Sequence, residues 1–239
     1  MKPAQTPQTF IAPHSWDDIS CGKFYRESLE QALVPWWPKL FGFHLLKIGE
    51  LSAEITVNEC PISHQVNVGP YGNNLQIIAD PHQLPFSEKS IDACLLAQTL
   101  SYSSDPHRVL REVDRVLIDD GWLILSTFNP ISLVGLGKLI PKINKRQPYC
   151  SRMFTQMRMI DWLGVLNYEV VHCVSFHVTP WRRNKGKLNK HFPVFGCITL
   201  IVARKRTIPL IVTPMRARLR KAPLRRTVGA TKIFRRQKP

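Results

Sequence analysis

An eight-residue segment rich in apolar residues, SIDACLLA at 90–97, most restricts the folds open to this chain. A short, mainly apolar run is typical of a strand buried on both faces of a parallel sheet. A helical pattern over 105–117 and a second apolar run, WLILST at 122–127, follow it. Because parallel strands need a crossover connection, this segment predicts a strand–helix–strand unit and an α/β fold.

The helix between these strands has its own start and stop signals. Asp105 can cap its N-terminus, Pro106 suits its first turn, and Gly121 is expected to end it. Its apolar residues recur at helical spacing and form one face: Val109, Leu110, Val113, Val116 and Leu117. The pattern therefore predicts a helix packed on one side of the sheet.

The same alternation continues in both directions along the chain. Helical patterns run from Ser20 to Trp36, and from Ser151, which can act as a cap, to about Asn167. Five more segments have strand character: 43–49, 64–68, 75–80, 168–174 and 196–203. A loop and not a helix joins the last two, which allows an antiparallel pair at the edge of the sheet. We therefore predict a mostly parallel, seven-stranded sheet with helices on both faces.

In such sheets, ligands bind beyond the carboxyl ends of the strands, where the strand order reverses. The candidate site residues are those at or just after strand ends: Ile48, Gly49, Asn67, Asp80, Pro81 and Gln98. The Cys60–His64 and Cys173–His177 pairs have zinc-ligand chemistry, but nothing in their spacing brings the two pairs together. No metal site is predicted.

The net charge of +16 is concentrated in one part of the chain. Residues 1–169 carry 15 Lys and Arg against 17 Asp and Glu, whereas residues 170–239 carry 18 Lys and Arg and no carboxylate. This asymmetry indicates a polyanionic partner, either RNA or DNA contacted by residues 181–239 or an anionic membrane surface. A basic tail that only increases solubility is the alternative.

The remaining composition indicates an ordinary globular protein. The first residues do not have the pattern of a signal peptide, and no run of about 18 apolar residues predicts a transmembrane segment. Six cysteines are scattered without a CxxC pair, which is typical of reduced thiols in a cytoplasmic protein.

The stretch ADPHQLPFSEKSIDACLLAQTLSYSSDPHRVLREVDRVLIDDGWLILSTFNP, at 79–130, combines several of these features. An acidic residue ends a strand, LPF and an apolar strand follow, DP opens a helix that contains RVL, and an acidic–Gly turn leads to another strand. This order resembles the class I S-adenosylmethionine-dependent methyltransferases of the type-11 family. Within that family the chain is similar to the YafS group of bacterial methyltransferase-like proteins. The likeness covers roughly residues 44–203 and is most specific over 79–127.

The resemblance implies a Rossmann-like class I methyltransferase fold, S-adenosyl-L-methionine as the cofactor and methyl transfer to an unidentified acceptor. By position, Asp80 matches the acid that contacts the adenine amino group, and Pro81 lines the adenine site. Gln98 stands where the family often contacts the methionine part. Asn67 matches the end of strand two, where an acid usually accepts from both ribose hydroxyls. Asp80, Asn67 and Gln98 also have plain interpretations: the first two as turn residues, and Gln98 as a helix cap or a polar group that solvates the sheet edge.

The loop after the first strand departs from the family pattern of an acid followed by Gly-x-Gly-x-Gly. Ile48 and Gly49 keep their places, but Lys47 replaces the acid, and Leu51 and Ala53 replace the other two glycines. We expect Lys47 to place a cation near the amino-acid end of the cofactor, and Leu51 to fill space beside it. The connection GPYGNN is also too short for the usual crossover helix.

Three functional hypotheses follow from the sequence. The first is an S-adenosylmethionine-dependent methyltransferase, and the second is a catalytically degenerate relative that binds nucleic acid through its basic last third. The third is peripheral attachment to an anionic membrane surface. In each case we expect an N-terminal segment with a cap helix at 1–42 and a methyltransferase-like domain at 43–206. A basic, disordered arm is expected at 207–239.

Overall fold

The computed structural model describes residues 6, 12–72, 74–138, 140, 146–176 and 196–206. Seven strands within these residues form one sheet in the order β3-β2-β1-β4-β5-β7-β6. The strands are β1 (His44–Ile48), β2 (His64–Gly69), β3 (Ile77–Ile78), β4 (Ile91–Ala97), β5 (Leu117–Phe128), β6 (Tyr168–Phe176) and β7 (Ile198–Lys205). Strands β1 to β5 are parallel, whereas β7 is antiparallel to both β5 and β6. The predicted seven-stranded sheet and its antiparallel edge pair are confirmed.

Helices cover both faces of this sheet. They are α1 (Gly22–Leu33), α2 (Glu50–Ala53), α3 (Thr99–Tyr102), α4 (Pro106–Val116), α5 (Leu133–Gly137) and α6 (Gln156–Val165). Two 3-10 turns, Trp16–Asp18 and Trp37–Lys39, flank α1. No helix within the described ranges is long and apolar enough to cross a membrane.

The sheet separates two apolar cores. On one face, the buried side chains of α1 and the two 3-10 turns pack against Leu45 of β1. On the other face, α4 and α6 pack against Leu46 and Ile48 of the same strand. Because side chains alternate along a strand, β1 contributes to both cores, which explains why the adjacent residues Leu45 and Leu46 are both apolar.

Two helix boundaries differ from the sequence prediction. Helix α4 is capped by Asp105, as predicted, but it ends at Val116 instead of Gly121 because Leu117 already pairs with Ile91 as the start of β5. Helix α6 begins after Thr155, whose side chain accepts a hydrogen bond from the backbone of Arg158. The predicted cap, Ser151, is buried and donates instead to the carbonyl of Pro148.

Strand β3 is shorter than the predicted segment 75–80, and its connection to β2 contains no helix among the described residues. Only Ile77 and Ile78 pair with β2. Ahead of them, the side chain of Asn67 donates to the carbonyl of Asn74 at 2.9 Å, and Gln76 accepts from the backbone of Asn67. These side-chain bonds close a tight turn, so regular pairing begins only at Ile77.

Candidate functional site

A cavity of about 370 Å³ lies at the carboxyl edge of the sheet. It opens beyond β1 and β4, which are neighbours in the sheet although two other strands separate them in sequence, so the strand order reverses there. Loops after these strands and a segment ahead of α1 line it: residues 12–13, 49–51, 70–71, 80–82, 97–99 and 102–104. The fold thus brings together segments that are far apart in the chain.

Four of the six predicted site residues line this cavity: Gly49, Asp80, Pro81 and Gln98. Ile48 and Asn67 do not. Ile48 is fully buried beneath the cavity, where its carbonyl accepts from the hydroxyls of Ser52 and Thr99. Asn67 lies two residues before the end of β2 with its side-chain amide engaged in the turn described above.

Gly49 begins a short segment, residues 49–53, that we call the glycine loop. Its φ of 93° and ψ of 157° belong to a region essentially restricted to glycine. A Cβ at this position would lie 3.0 Å from the hydroxyl of Thr99, and the Gly49 amide donates to Val68 at 2.7 Å. Both the backbone conformation and the nearby Thr99 therefore require a glycine at position 49. Because glycine has no side chain, the backbone of residue 49 is accessible from the cavity.

Leu51 was expected to crowd the site, yet the cavity remains open beside it. The residue is buried and belongs to the core that also contains Trp16. The indole of Trp16 donates from Nε1 to the Leu51 carbonyl at 2.9 Å. Both contacts hold the glycine loop against the first core.

The expectation that Lys47 places a cation in the cofactor site is wrong. Lys47 does not line the cavity, and its Nζ donates to the carbonyl of Ile55 at 2.9 Å. It shares the face of β1 that bears Leu45, and burial lowers the pKa of its ammonium group. The side-chain alternation of the strand therefore removes this charge from the candidate site.

Glu50 supplies the charge that sequence reasoning missed. This residue follows Gly49 and lines the cavity, and its side chain is only 5% exposed. Its Oε2 lies 3.1 Å from Nδ1 of His14, and neither carboxylate oxygen has a hydrogen-bond partner by geometry among the described residues. Burial raises the pKa of Glu50, and the nearby His14 opposes that effect. Glu50 could have been predicted as a site residue from the sequence, because it is an acid directly after Gly49, the one glycine of the family pattern that remains.

Asp80 is held by a chain of hydrogen bonds. Its Oδ1 lies 2.7 Å from Nδ1 of His82 and also accepts from the His82 backbone amide, and Nε2 of His82 lies 2.9 Å from the hydroxyl of Ser103. Although partial burial raises the pKa of Asp80, the His82 hydrogen bonds and the charges of His82 and Arg108 outweigh it and lower that pKa. Asp80 is therefore an oriented, ionised acceptor at the cavity.

The same order of groups occurs in Ser-His-Asp catalytic triads, where the aspartate is buried. Here the Asp80 side chain is 64% exposed, and the Ser103 hydroxyl also accepts from the backbone amide of Asp105 at 3.1 Å. We therefore assign this chain of bonds to the orientation of Asp80 and not to nucleophilic catalysis.

Gln98 lines the cavity at the start of α3, but its amide is directed into the fold. It is fully buried and has a left-handed backbone with φ of 60°. Its Nε2 lies 3.4 Å from the hydroxyl of Ser126, and its Oε1 accepts from Ser101 at 3.2 Å. These bonds leave Gln98 as a rigid part of the wall beyond β4.

Residues 12–14, which we call the covering segment, pass along one side of the cavity. The amide of Ala12 donates to the Tyr71 hydroxyl at 3.3 Å, and the ring of His14 meets that of Tyr71 edge to face at 5.2 Å. Together with the contact between His14 and Glu50, these interactions join the covering segment to the loops after β1 and β2.

Comparison with known proteins places this geometry in a family. A family model for a methyltransferase domain of type 11 matches residues 61–125. Protein YafS of Escherichia coli strain K12, which is described as uncharacterized, is 58% identical over 233 residues, and the match covers 97% of each protein.

Solved structures share the fold at much lower identity. A SAM-dependent methyltransferase from Thermotoga maritima superposes with a TM-score of 0.57 at 20% identity, over 77% of this chain and 90% of that one. One from Mesorhizobium loti gives 0.51 at 16% identity, over 73% and 96%. These two likenesses establish the fold alone. The near full-length identity to YafS establishes more: the chain belongs to the YafS family, and its fold is that of the S-adenosylmethionine-dependent methyltransferases.

Proposed function

We propose that the protein is an S-adenosylmethionine-dependent methyltransferase and that the cofactor binds in the cavity at the carboxyl edge of the sheet. The observation that carries this proposal is the open cavity itself, which persists although two glycines of the family pattern are replaced. The methyltransferase-domain model, which matches residues 61–125, supports the same reaction class.

The lining residues fit the two ends of an adenosyl group. The oriented carboxylate of Asp80 is an acceptor suited to the amino group of adenine, and Pro81 beside it offers an apolar surface. At the other side of the cavity, Gly49 has no side chain to prevent close approach of the ligand to the backbone. The wall at Gln98 is then adjacent to the methionine part.

Methyl transfer from a sulfonium asks little of protein side chains, because the methyl group is already electrophilic. The rate depends mainly on in-line alignment of the acceptor and on exclusion of water. The residues of this chain would therefore act by binding and orienting the two reactants. The acceptor is unidentified.

Isothermal titration calorimetry with S-adenosylmethionine and S-adenosylhomocysteine tests the proposal. We expect the wild-type protein to bind both, and Asp80→Asn to bind about tenfold more weakly, since a charge-assisted bond becomes a neutral one. Asp161→Asn is the matched control, because Asp161 is an exposed acid that does not line the cavity. Absence of binding by the wild type at millimolar ligand would exclude the proposal.

Nucleic-acid binding through the basic last third is a second candidate function, favoured by the 18 Lys and Arg without a carboxylate in residues 170–239. Most of the segment 181–239 lies outside the described residues. A full-length protein and a variant ending at Arg206 can be compared for RNA and DNA binding at two salt concentrations. Loss of a steeply salt-dependent affinity on truncation would support this role, and vesicles with and without acidic lipid separate it from membrane attachment.

A further inference from the structure

We propose that the buried carboxylate of Glu50 accepts hydrogen bonds from the vicinal hydroxyls of the cofactor ribose. It would thereby replace the acid that is absent from the end of β2. The inference rests on the proposed function, because it assigns a role to a residue of the same cavity. Glu50 is not one of the site residues that the sequence predicts.

The first argument is that Glu50 has fewer hydrogen bonds than a buried carboxylate needs. A buried carboxylate normally accepts several hydrogen bonds, and leaving it without them is costly. The Glu50 side chain is 95% buried, and among the described residues neither of its oxygens accepts a hydrogen bond of good geometry. The contact with His14 reaches only Oε2. A ligand that brings two adjacent hydroxyl donors would satisfy both oxygens at once.

The second argument is position. The Cγ of Glu50 lies 3.0 Å from the site that a Cβ on Gly72 would occupy, so the side chain extends toward the loop after β2. Thr99, which follows β4, is the residue that a Cβ on Gly49 would meet, whereas Gly72 follows β2. Asp80 follows β3, which lies beyond β2 in the sheet. Glu50 is therefore on the same half of the cavity as the proposed adenine acceptor, where the sugar attached to the base must lie.

The expected experiment compares wild type, Glu50→Gln and the exposed control Glu88→Gln for binding of three probes. S-adenosylhomocysteine carries base, ribose and ammonium, 5′-methylthioadenosine lacks the amino-acid end, and adenine lacks the ribose. We expect Glu50→Gln to weaken the first two probes by a similar factor of about tenfold and to leave adenine unchanged. Glu88→Gln should bind all three probes like the wild type.

Other outcomes overturn specific statements. Loss of affinity for S-adenosylhomocysteine alone would assign Glu50 to the ammonium group and overturn the ribose assignment, and unchanged affinity for both nucleosides would overturn any role in binding. If the wild type binds neither nucleoside, the proposed function fails first. Thermal melting of Glu50→Gln accompanies the titrations, and Glu50→Asp, which keeps the charge but shortens the side chain, should fall between wild type and Gln.

Discussion

The Oε2 atom of Glu50 lies 3.1 Å from Nδ1 of His14, so one contact joins the glycine loop to the covering segment. His14 is 68% exposed, whereas Glu50 is almost completely buried. The contact therefore pairs a solvated ring with a desolvated carboxylate, an arrangement that compensates little of the cost of burying the charge. The stability of the protein should reveal that cost.

We expect Glu50→Gln to raise the free energy of unfolding at pH 8 by about 1 kcal/mol, because it removes a buried charge and keeps the shape of the side chain. Burial raises the pKa of Glu50, so the folded protein binds a proton more tightly than the unfolded chain does. Wild-type stability therefore increases as the pH falls through that raised pKa, and the advantage of the variant shrinks. Urea unfolding of the wild type and of Glu50→Gln at pH 8 and pH 5 measures the difference in their free energies of unfolding. A difference that does not change with pH would contradict the raised pKa of Glu50.

Gly49→Ala should destabilise the protein by about 1–3 kcal/mol, because alanine strains at a φ of 93° and its Cβ would meet the Thr99 hydroxyl. We also expect it to weaken binding of S-adenosylhomocysteine. Gly164→Ala is the matched control, since it lies in α6 with no atom within 4 Å of the added Cβ. Chemical denaturation should show a gain of about 0.5–1 kcal/mol for the control. Equal effects of the two substitutions would argue against a special conformation at Gly49.

His82→Ala removes the ring that orients Asp80, although the backbone amide at that position still donates. We expect the affinity for S-adenosylhomocysteine to fall about three- to tenfold, since one of the two bonds to Oδ1 remains. Ser103→Ala should have a smaller effect in the same direction, because it releases the far side of the ring. His64→Ala, at a side chain outside the cavity, is the control. Titration calorimetry gives all three values, and an affinity of His82→Ala equal to that of His64→Ala would refute the role of His82.

Lys47→Met should leave the affinity for S-adenosylhomocysteine within about twofold of the wild type, because the ammonium group bonds to Ile55 outside the cavity. The sequence pattern predicts a different result, because it would place Lys47 beside the cofactor. Titration calorimetry measures the affinity of Lys47→Met for S-adenosylhomocysteine in the same series as that of Glu50→Gln. A change larger than tenfold for Lys47→Met would indicate that the charge reaches the ligand.

Trp16→Phe should lower both stability and ligand affinity, because the indole holds the carbonyl of Leu51 in the glycine loop. The loss of a buried hydrogen bond and of packing predicts a cost of about 2 kcal/mol or more. Trp162→Phe, in the core on the opposite face, should cost stability without a specific loss of S-adenosylhomocysteine binding. Melting curves with and without ligand distinguish the two, and a similar ligand response in both variants would exclude a role for Trp16 in the loop.

Much of the fold was predictable because hydrophobic periodicity is a local property. The run at 90–97 became β4, and the pattern around Asp105 became α4 with the predicted cap. Boundaries were less predictable where a strand partner competed with the helix, as at Leu117, which pairs with Ile91. The short helix α2 had no amphipathic signal, since it spans a single turn.

The sequence by itself determined the alternation of strands and helices and the concentration of basic residues after 169. It also showed that Gly49 is the one glycine of the family's loop pattern that this chain has. Only the tertiary structure decided which charged residue of the first loop faces the cavity. Lys47 turns toward Ile55 because of its place in β1, and Glu50 enters the cavity between His14 and Gly72. Those neighbours are 36 and 22 residues away along the chain, and contacts at such separation are set by the packing of the whole sheet and not by local pattern.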